Sequence, residues 1–338
     1  MGTGPWRFGG WNGEQIVLER NEQYHGGPAP YIETLVYNIY STLESAVTAL
    51  TQGKLDYLAG IPDLALAELE KTVAKNYNFV SHPDLSYDYL GFNFREDAFG
   101  RSSLNPLRDP LVRQAIAAAI HRQDLVDQVL GGRGQVVHSP VPRGSWALAE
   151  EAYIDLHSFN PARAQALLEQ AGWTLDQEGY RAKNGQRLEL TITLNGDSPR
   201  QVKLAQMIKN NLRSVGLDIG LIKVAWEDLL YFYVYPGNYH LVLFGWSLGA
   251  DPDAYSIFHS SQAAGGLNFG AYANETVDAL SVLGRNTLES LQAELSLDLP
   301  YTFLFSRDLT SVVRMDVRGI VSSPLGLIAL ESWYIKNP

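Results

Sequence analysis

No cysteine occurs among the 338 residues, which excludes disulfides, thiolate catalysis and Cys-ligated zinc and leaves the redox compartment open. No apolar run reaches the ~18 residues that a membrane-spanning helix requires. The opening stretch MGTGPWRFGGWNGE has no basic segment followed by an apolar one, so no export signal is expected in the sequence as it stands. Lys/Arg-rich runs are also missing. With a formal net charge of −11 and acids and bases interspersed, the chain offers no electrostatic footprint for a nucleic acid or an anionic membrane surface. The seven histidines include no i, i+4 pair and no His-Glu-x-x-His, so no metal site is expected, and the glycines of GGRGQ (131–135) lack the ending of a Walker A loop. What remains is 46% hydrophobic and 19% charged, the balance of a folded chain long enough for two domains.

Strands are expected where β-branched and aromatic runs lie between turn residues, at Gln15 to Arg20, Thr34 to Ile39, in LDYLAGI and in YLGFNF. Ser41-Thr42-Leu43-Glu44 fits a capping box for a helix from Thr42 to Gln52, and LALAELEKTV reads as a second helix. Asp109-Pro110 and Asn160-Pro161 both join a capping side chain to a proline at the first helical position. The first of these opens an Ala-rich helix on which His121 and Arg122 read as a solvated or helix-ending basic pair. Asn184-Gly185 is a hairpin signal, and a βαβ unit follows: strand 188–194, helix 198–215, strand 217–224. WEDLLYFYVY reads as a helix whose band Tyr231, Phe232, Tyr233 and Tyr235 suits core, interface or sugar-stacking roles alike. With a strand at Tyr239 to Phe244, these alternations predict α/β layers around a largely parallel sheet.

Gly245-Trp246-Ser247-Leu248-Gly249 has the G-x-S-x-G pattern of a nucleophile elbow, which requires a helix starting at the serine. Gly249 and Pro252 oppose such a helix, and the only later histidine, His259, is too near for a hydrolase triad. The alternative is a ligand-holding loop at the carboxyl end of a sheet strand, with Trp246, Asp251, Asp253 and Tyr255 available. A structural role is equally open, with Asp251 capping a helix at Pro252 and Trp246 in the core. A hydrolase or glycosidase using Ser247, or the carboxylates Asp251 and Asp253, is the competing class, and a folded unit without independent function is a third.

GTGPWRF, IVLERNEQYHGG, ALTQGKLDYLAGI, YLGFNF, DPLVRQAIAAAIHRQDLVDQVLGGRGQ, NPARAQALLEQAGW, FGWSLGADPDAYSIFHSS and SWYIKNP occur in this order. Together they resemble the extracellular solute-binding proteins of peptide-type ABC transporters, the oligopeptide/dipeptide-binding family known as solute-binding protein family 5. The resemblance implies an α/β fold of the periplasmic-binding-protein type II kind, containing a large lobe plus part of the first lobe. Residues 1–88 would be the later part of lobe I, 89–306 the second large lobe, and 307–338 a return to lobe I. It implies non-catalytic capture of a solute, peptide or other small molecule, by hinge closure of two lobes that a membrane ABC permease complex reads. The expected protein is a monomer, periplasmic or extracytoplasmic, without cofactor or nucleic acid. The family's export signal and first strands would precede the position of Gly2, and 274–305 is shorter than the family's usual helical hairpin. Trp226, Trp246 with Ser247, and Tyr89 match cleft positions of peptide binders. The acid that holds the peptide amine in the family has no match in register, which leaves Asp251 as a displaced candidate and the ligand class open.

Overall fold

The computed structural model describes residues 2–61, 63–100, 105–321 and 323–336. Its elements begin with strands β1 (Trp6–Trp11), β2 (Gln15–Arg20) and β3 (Thr34–Asn38), helix α1 (Leu43–Thr51), β4 (Tyr57–Leu58), α2 (Asp63–Val73) and β5 (Tyr77–Pro83). β6 (Ser86–Phe92), α3 (Pro110–Ala119), α4 (Arg122–Val129), β7 (Gly134–Val136) and α5 (Pro161–Gln170) come next, then short strands β8 (Thr174–Leu175), β9 (Arg181–Lys183) and β10 (Gln186–Arg187). The chain goes on through β11 (Glu189–Asn195), α6 (Pro199–Ser214), β12 (Asp218–Val224), α7 (Trp226–Asp228), β13 (Leu241–Ser247), α8 (Tyr255–Phe258), α9 (Glu275–Val282) and α10 (Leu288–Asp298). It ends with β14 (Tyr301–Arg314), β15 (Val317–Arg318) and β16 (Tyr334–Ile335).

Local chemistry accounts for many of these boundaries. Asp109 and Asn160 accept from the N–H groups of Leu111 and Arg163, each 2.9 Å away, and so cap α3 and α5 with proline at the first position. Asn184 and Gly185 both take positive φ, 52° and 76°, which closes β9 onto β10 as a primed turn. Other expectations shift. The cap of α1 is Thr42 rather than Ser41, because Thr42 is the residue in extended conformation and its Oγ1 accepts from Ser45 N–H. The predicted helix after Trp226 continues as a π-helical segment, Leu229–Val234, closed by Tyr235 N–H donating to Leu230 O at 2.9 Å.

The Ala-rich helix stops at Ala119. Ile120 turns extended, and His121 starts α4 by accepting from Asp124 N–H. Arg122 is therefore not a solvated base. It is 6% exposed, donates to Leu156 O at 2.7 Å and to His157 O, and meets His138 Nδ1 at 3.0 Å. Burial first, and the adjacent guanidinium second, push the His138 pKa down to about 4. Burial also lowers Arg122 itself to about 10.

The chain divides into two compact units: residues up to Pro83 together with those from Asp308 onward, and Asp84–Arg307. In the second unit the sheet order is β12-β11-β13-β6-β14, with β7 pairing the stretch of β14 from Phe305 to Arg307. β6 therefore lies wholly within this unit. β11 runs parallel to β12 and β13, as the βαβ pattern requires, but β6 and β14 are antiparallel to their neighbours. The sheet is mixed rather than largely parallel, because the crossovers through α6 and through the π-helical segment keep β11, β12 and β13 parallel whereas β6 pairs antiparallel with both β13 and β14. Helices α3 to α6 bury Ile116, Leu125, Leu168 and Ile208 against one face, over Leu90, Ile192 and Leu243. A second cluster, rich in tyrosine and phenylalanine, covers the other face and includes Tyr87, Tyr89, Phe258, Tyr301 and Phe303.

In the first unit β1, β2 and β3 form an antiparallel sheet, and β4 and β5 flank the later part of β14. Its core lies under α1 and α2, where Leu50, Leu66 and Val73 pack with Tyr77 and Val312. The Tyr77 hydroxyl sits between Leu50 O (3.1 Å) and Leu55 O (2.8 Å), so this buried polar atom has partners.

Candidate ligand-binding site

Side chains on a strand alternate between faces. Along β13, Leu241 and Leu243 enter the aliphatic cluster whereas Val242, Phe244 and Trp246 turn to the aromatic one. Phe244 and Trp246 stand opposite Tyr89 and Tyr87 of β6. From this row an array of rings extends. Trp226, on the turn after β12, stacks on Phe244 with centroids 5.4 Å apart and planes 7° apart. Trp246 stacks on Phe269 at 5.7 Å and 19°, and edges Phe244 at 6.2 Å. Tyr89 lies beneath, 6.4 Å from Trp246 and 3.9 Å from Tyr301 in near-parallel stacking. Arg95 Nη1 donates to Phe269 O and holds that ring's backbone. Tyr235 and Tyr231 of the π-helical turn continue the array outward from Phe269.

Exposure grades across these rings. Tyr89 is 1% exposed, Phe244 7% and Trp226 44%. Burial raises the hydroxyl pKa of Tyr89 well above its usual value and that of Tyr301 to about 12, so the floor is uncharged at neutral pH. A platform of this kind holds apolar and aromatic groups through area and stacking, and provides no point charge. Of the residues expected at a site, Trp226 and Trp246 share this face. Tyr89 supports it from within the core and presents no surface of its own.

Ser247 does not share it. As the residue after Trp246 on β13, it points to the opposite side, across from Ser86, and is exposed. No helix starts at Ser247, since the next one is α8, and His259 Nδ1 accepts from Ser261 N–H. The elbow geometry is absent, and the strand itself carries the GWS of the motif where a loop was expected. Asp251 is exposed and pairs with Arg285 at 3.3 Å. It caps nothing; Asp253 serves the start of α8 by accepting from Tyr255 N–H at 2.9 Å. Arg285 lies over the Trp146 ring at 5.0 Å, and Trp146 Nε1–H donates to Ala250 O at 2.9 Å, so the loop after β13 is tied down by two distant segments. Phe244 was legible two residues before Trp246, but Phe269 carries no local signal. Among the described residues no group of three or more His, Asp or Glu is placed to hold a metal ion. No helix of the described residues is long and apolar enough to cross a membrane.

Residues 1–268 match the family model of bacterial extracellular solute-binding proteins, family 5 Middle. The chain belongs to the family 5 solute-binding proteins. Over its full length it is 29% identical to the oligopeptide-binding protein AppA of Bacillus subtilis, of which it spans 62%. It is 28% identical, over 75% of its length, to the nickel-binding periplasmic protein of Escherichia coli, of which it spans 47%. The structure of Bacillus subtilis AppA in complex with a nonapeptide superposes with a TM-score of 0.70 at 29% identity, covering 99% of this chain and 66% of that one. The periplasmic-binding-protein fold expected from the motif series is the fold of these relatives. The hydrolase reading of Ser247 finds no support in any of these likenesses.

Proposed function

We propose that this chain is the solute-capturing part of an ABC import system and takes an oligopeptide, without catalysis, on the aromatic face of its second unit. The observation that carries the reading is the array Trp226, Phe244, Trp246 and Phe269, an uncharged ring platform at the end of β13 in a family 5 chain. The two units serve as lobes, and the crossings at 83/84 and 307/308 serve as the hinge by which a membrane permease senses the loaded state. The protein works as a monomer in the periplasmic or extracytoplasmic space. AppA, which aligns over the whole chain, is named for oligopeptides, which supports a peptide as the solute.

Titration calorimetry with alanine-rich peptides of three, five and nine residues tests this. A micromolar complex corresponds to about 8 kcal/mol, and a chain spanning only part of its relatives' length holds its peptide less tightly than that. Trp246→Ala should weaken binding by about 2 kcal/mol, some thirtyfold, as expected for an anchoring aromatic. Unchanged affinity in both Trp246→Ala and Trp226→Ala would remove the site from this face.

A further inference from the structure

The rings of the aromatic face come from stretches far apart in the chain. Trp246 is on β13, Tyr235 ends the π-helical turn, and Phe269 lies in irregular chain between α8 and α9. Phe269 nevertheless has Trp246 5.7 Å and Tyr235 5.8 Å from its ring. No helix or strand ladder fixes the angle of this ring, so other bonds must. Asn268, 2% exposed, closes the irregular stretch on itself: its Nδ2–H donates to His259 O at 3.2 Å and Tyr272 O at 2.8 Å, and its Oδ1 accepts from Tyr272 N–H at 3.0 Å. Phe94 N–H donates to Gly270 O at 2.8 Å. The Phe269 carbonyl itself is taken by the Arg95 guanidinium.

The same guanidinium lies against the end of the π-helical turn. A Cβ at Gly237 would stand 2.6 Å from Arg95 Nη1 and 2.7 Å from its Cζ, so only a glycine leaves room for it there. The base of the Arg95 side chain is fixed as well. Asn93 is fully buried and donates through Nδ2 to Gly237 O at 2.8 Å and Tyr239 O at 2.7 Å, while its Oδ1 accepts from Arg95 N–H at 3.1 Å. Asn105 Nδ2 donates to Asn93 O at 2.8 Å and to Arg95 O at 2.9 Å. Arg95 thus has an anchored main chain and a long side chain whose only hydrogen bond, among the described residues, goes to Phe269 O. No carboxylate pairs with it among them.

We propose that Arg95 is a positioning residue of the ligand face: seated on Gly237, it joins the turn that carries Tyr235 to the stretch that carries Phe269, and so sets the Phe269 ring against Trp246. This rests on the aromatic face being the site of capture. Arg95 acts through Phe269 and touches no solute. With the charged donor gone, the Phe269 carbonyl turns to water and the ring loses its near-parallel fit to Trp246, now 19° between planes. A peptide then has to order the ring as it binds, which costs affinity without removing a contact from the bound state.

Titration calorimetry with the nine-residue alanine-rich peptide tests this as a double-mutant cycle on the whole chain. Phe269→Ala should weaken binding about tenfold and Arg95→Met about fivefold. The double variant should be no weaker than Phe269→Ala alone, because Arg95 has no other route to the ligand. Without peptide, Arg95→Met should change the near-ultraviolet circular dichroism of the tryptophans in the same sense as Phe269→Ala, with the far-ultraviolet spectrum unchanged. Arg108→Met, which removes an exposed arginine paired with Glu96, should leave both affinity and spectrum as in the wild type. Arg95→Met with wild-type affinity, or losses that add in the double variant, would overturn the proposal while Phe269→Ala stays weak. Wild-type affinity in Phe269→Ala would remove the ligand from this face, and the proposal with it.

Discussion

His138 should make the second unit acid-labile, and His138→Gln should remove much of that lability. His138 Nδ1 faces the Arg122 guanidinium at 3.0 Å and accepts from it, so protonation would break the bond and set two cations together. The folded pKa of about 4 lies below the ordinary 6.5. A histidine lowered on folding stabilises fully above pH 6.5, and that stability is lost as pH falls from 6.5 toward 4. At pH 4.5 the loss amounts to about 2.5 kcal/mol relative to pH 7.5, at about 1.36 kcal/mol for each pH unit by which the unfolded chain holds the proton and the folded one does not. Glutamine keeps an acceptor for Arg122 and cannot take the proton. Urea unfolding followed by circular dichroism at pH 7.5, 5.5 and 4.5 should show the wild-type midpoint falling about 1 M further than that of His138→Gln, for a slope of about 2–3 kcal/mol/M. Parallel pH profiles for the two proteins would refute the reasoning, because His138 would then titrate alike folded and unfolded.

Arg122→Met should destabilise by about 3–5 kcal/mol in the same assay at pH 7.5, because the Leu156 and His157 carbonyls lose their buried donor. Gly134→Ala should lower thermal stability by about 1–3 kcal/mol, since a Cβ there would lie 2.6 Å from both Ser306 O and Leu130 Cδ1 where β7 meets β14. Ser247→Ala should leave peptide affinity within about twofold, as Ser247 is on the other side of β13 from the rings, and neither protein should turn over p-nitrophenyl esters. A tenfold change in affinity, or ester turnover abolished by the substitution, would contradict the placement.

Much of this architecture is legible where one residue type has one dominant local effect. Asp109-Pro110, Asn160-Pro161 and Asn184-Gly185 each announce their element, and the apolar period of 202–215 marks α6 within its βαβ unit. β1 and β5 escape notice because WRFGGW carries two glycines and YNFVSHP mixes polar residues with proline, so neither has a clean strand composition. Ala-rich sequence favours continued helix through Ile120, and the break goes with long-range claims on the next two residues, His121 N–H donating to Asn211 Oδ1 and Arg122 to carbonyls 34 and 35 residues away. At the site, Trp226 and Trp246 could be found by motif, but the motif joins Trp246 to Ser247 whereas the pleat separates them. Phe269 and Tyr301 reach the array through long-range packing, which no local pattern encodes.

The rings and the nearest loop acid sit on different kinds of backbone. Trp246 is fixed in a strand paired on both sides of the sheet's interior, whereas Asp251 follows on a loop that begins after Ser247 and ends where Asp253 starts α8. A residue can be lost from that loop, or a carboxylate moved along it, without changing the register of β13. If the rings hold the ligand as proposed, a change in that loop alters which charges the ligand meets while the stacking floor stays in place. Selection for a new solute has a variable part to work on and a constant part to rely on.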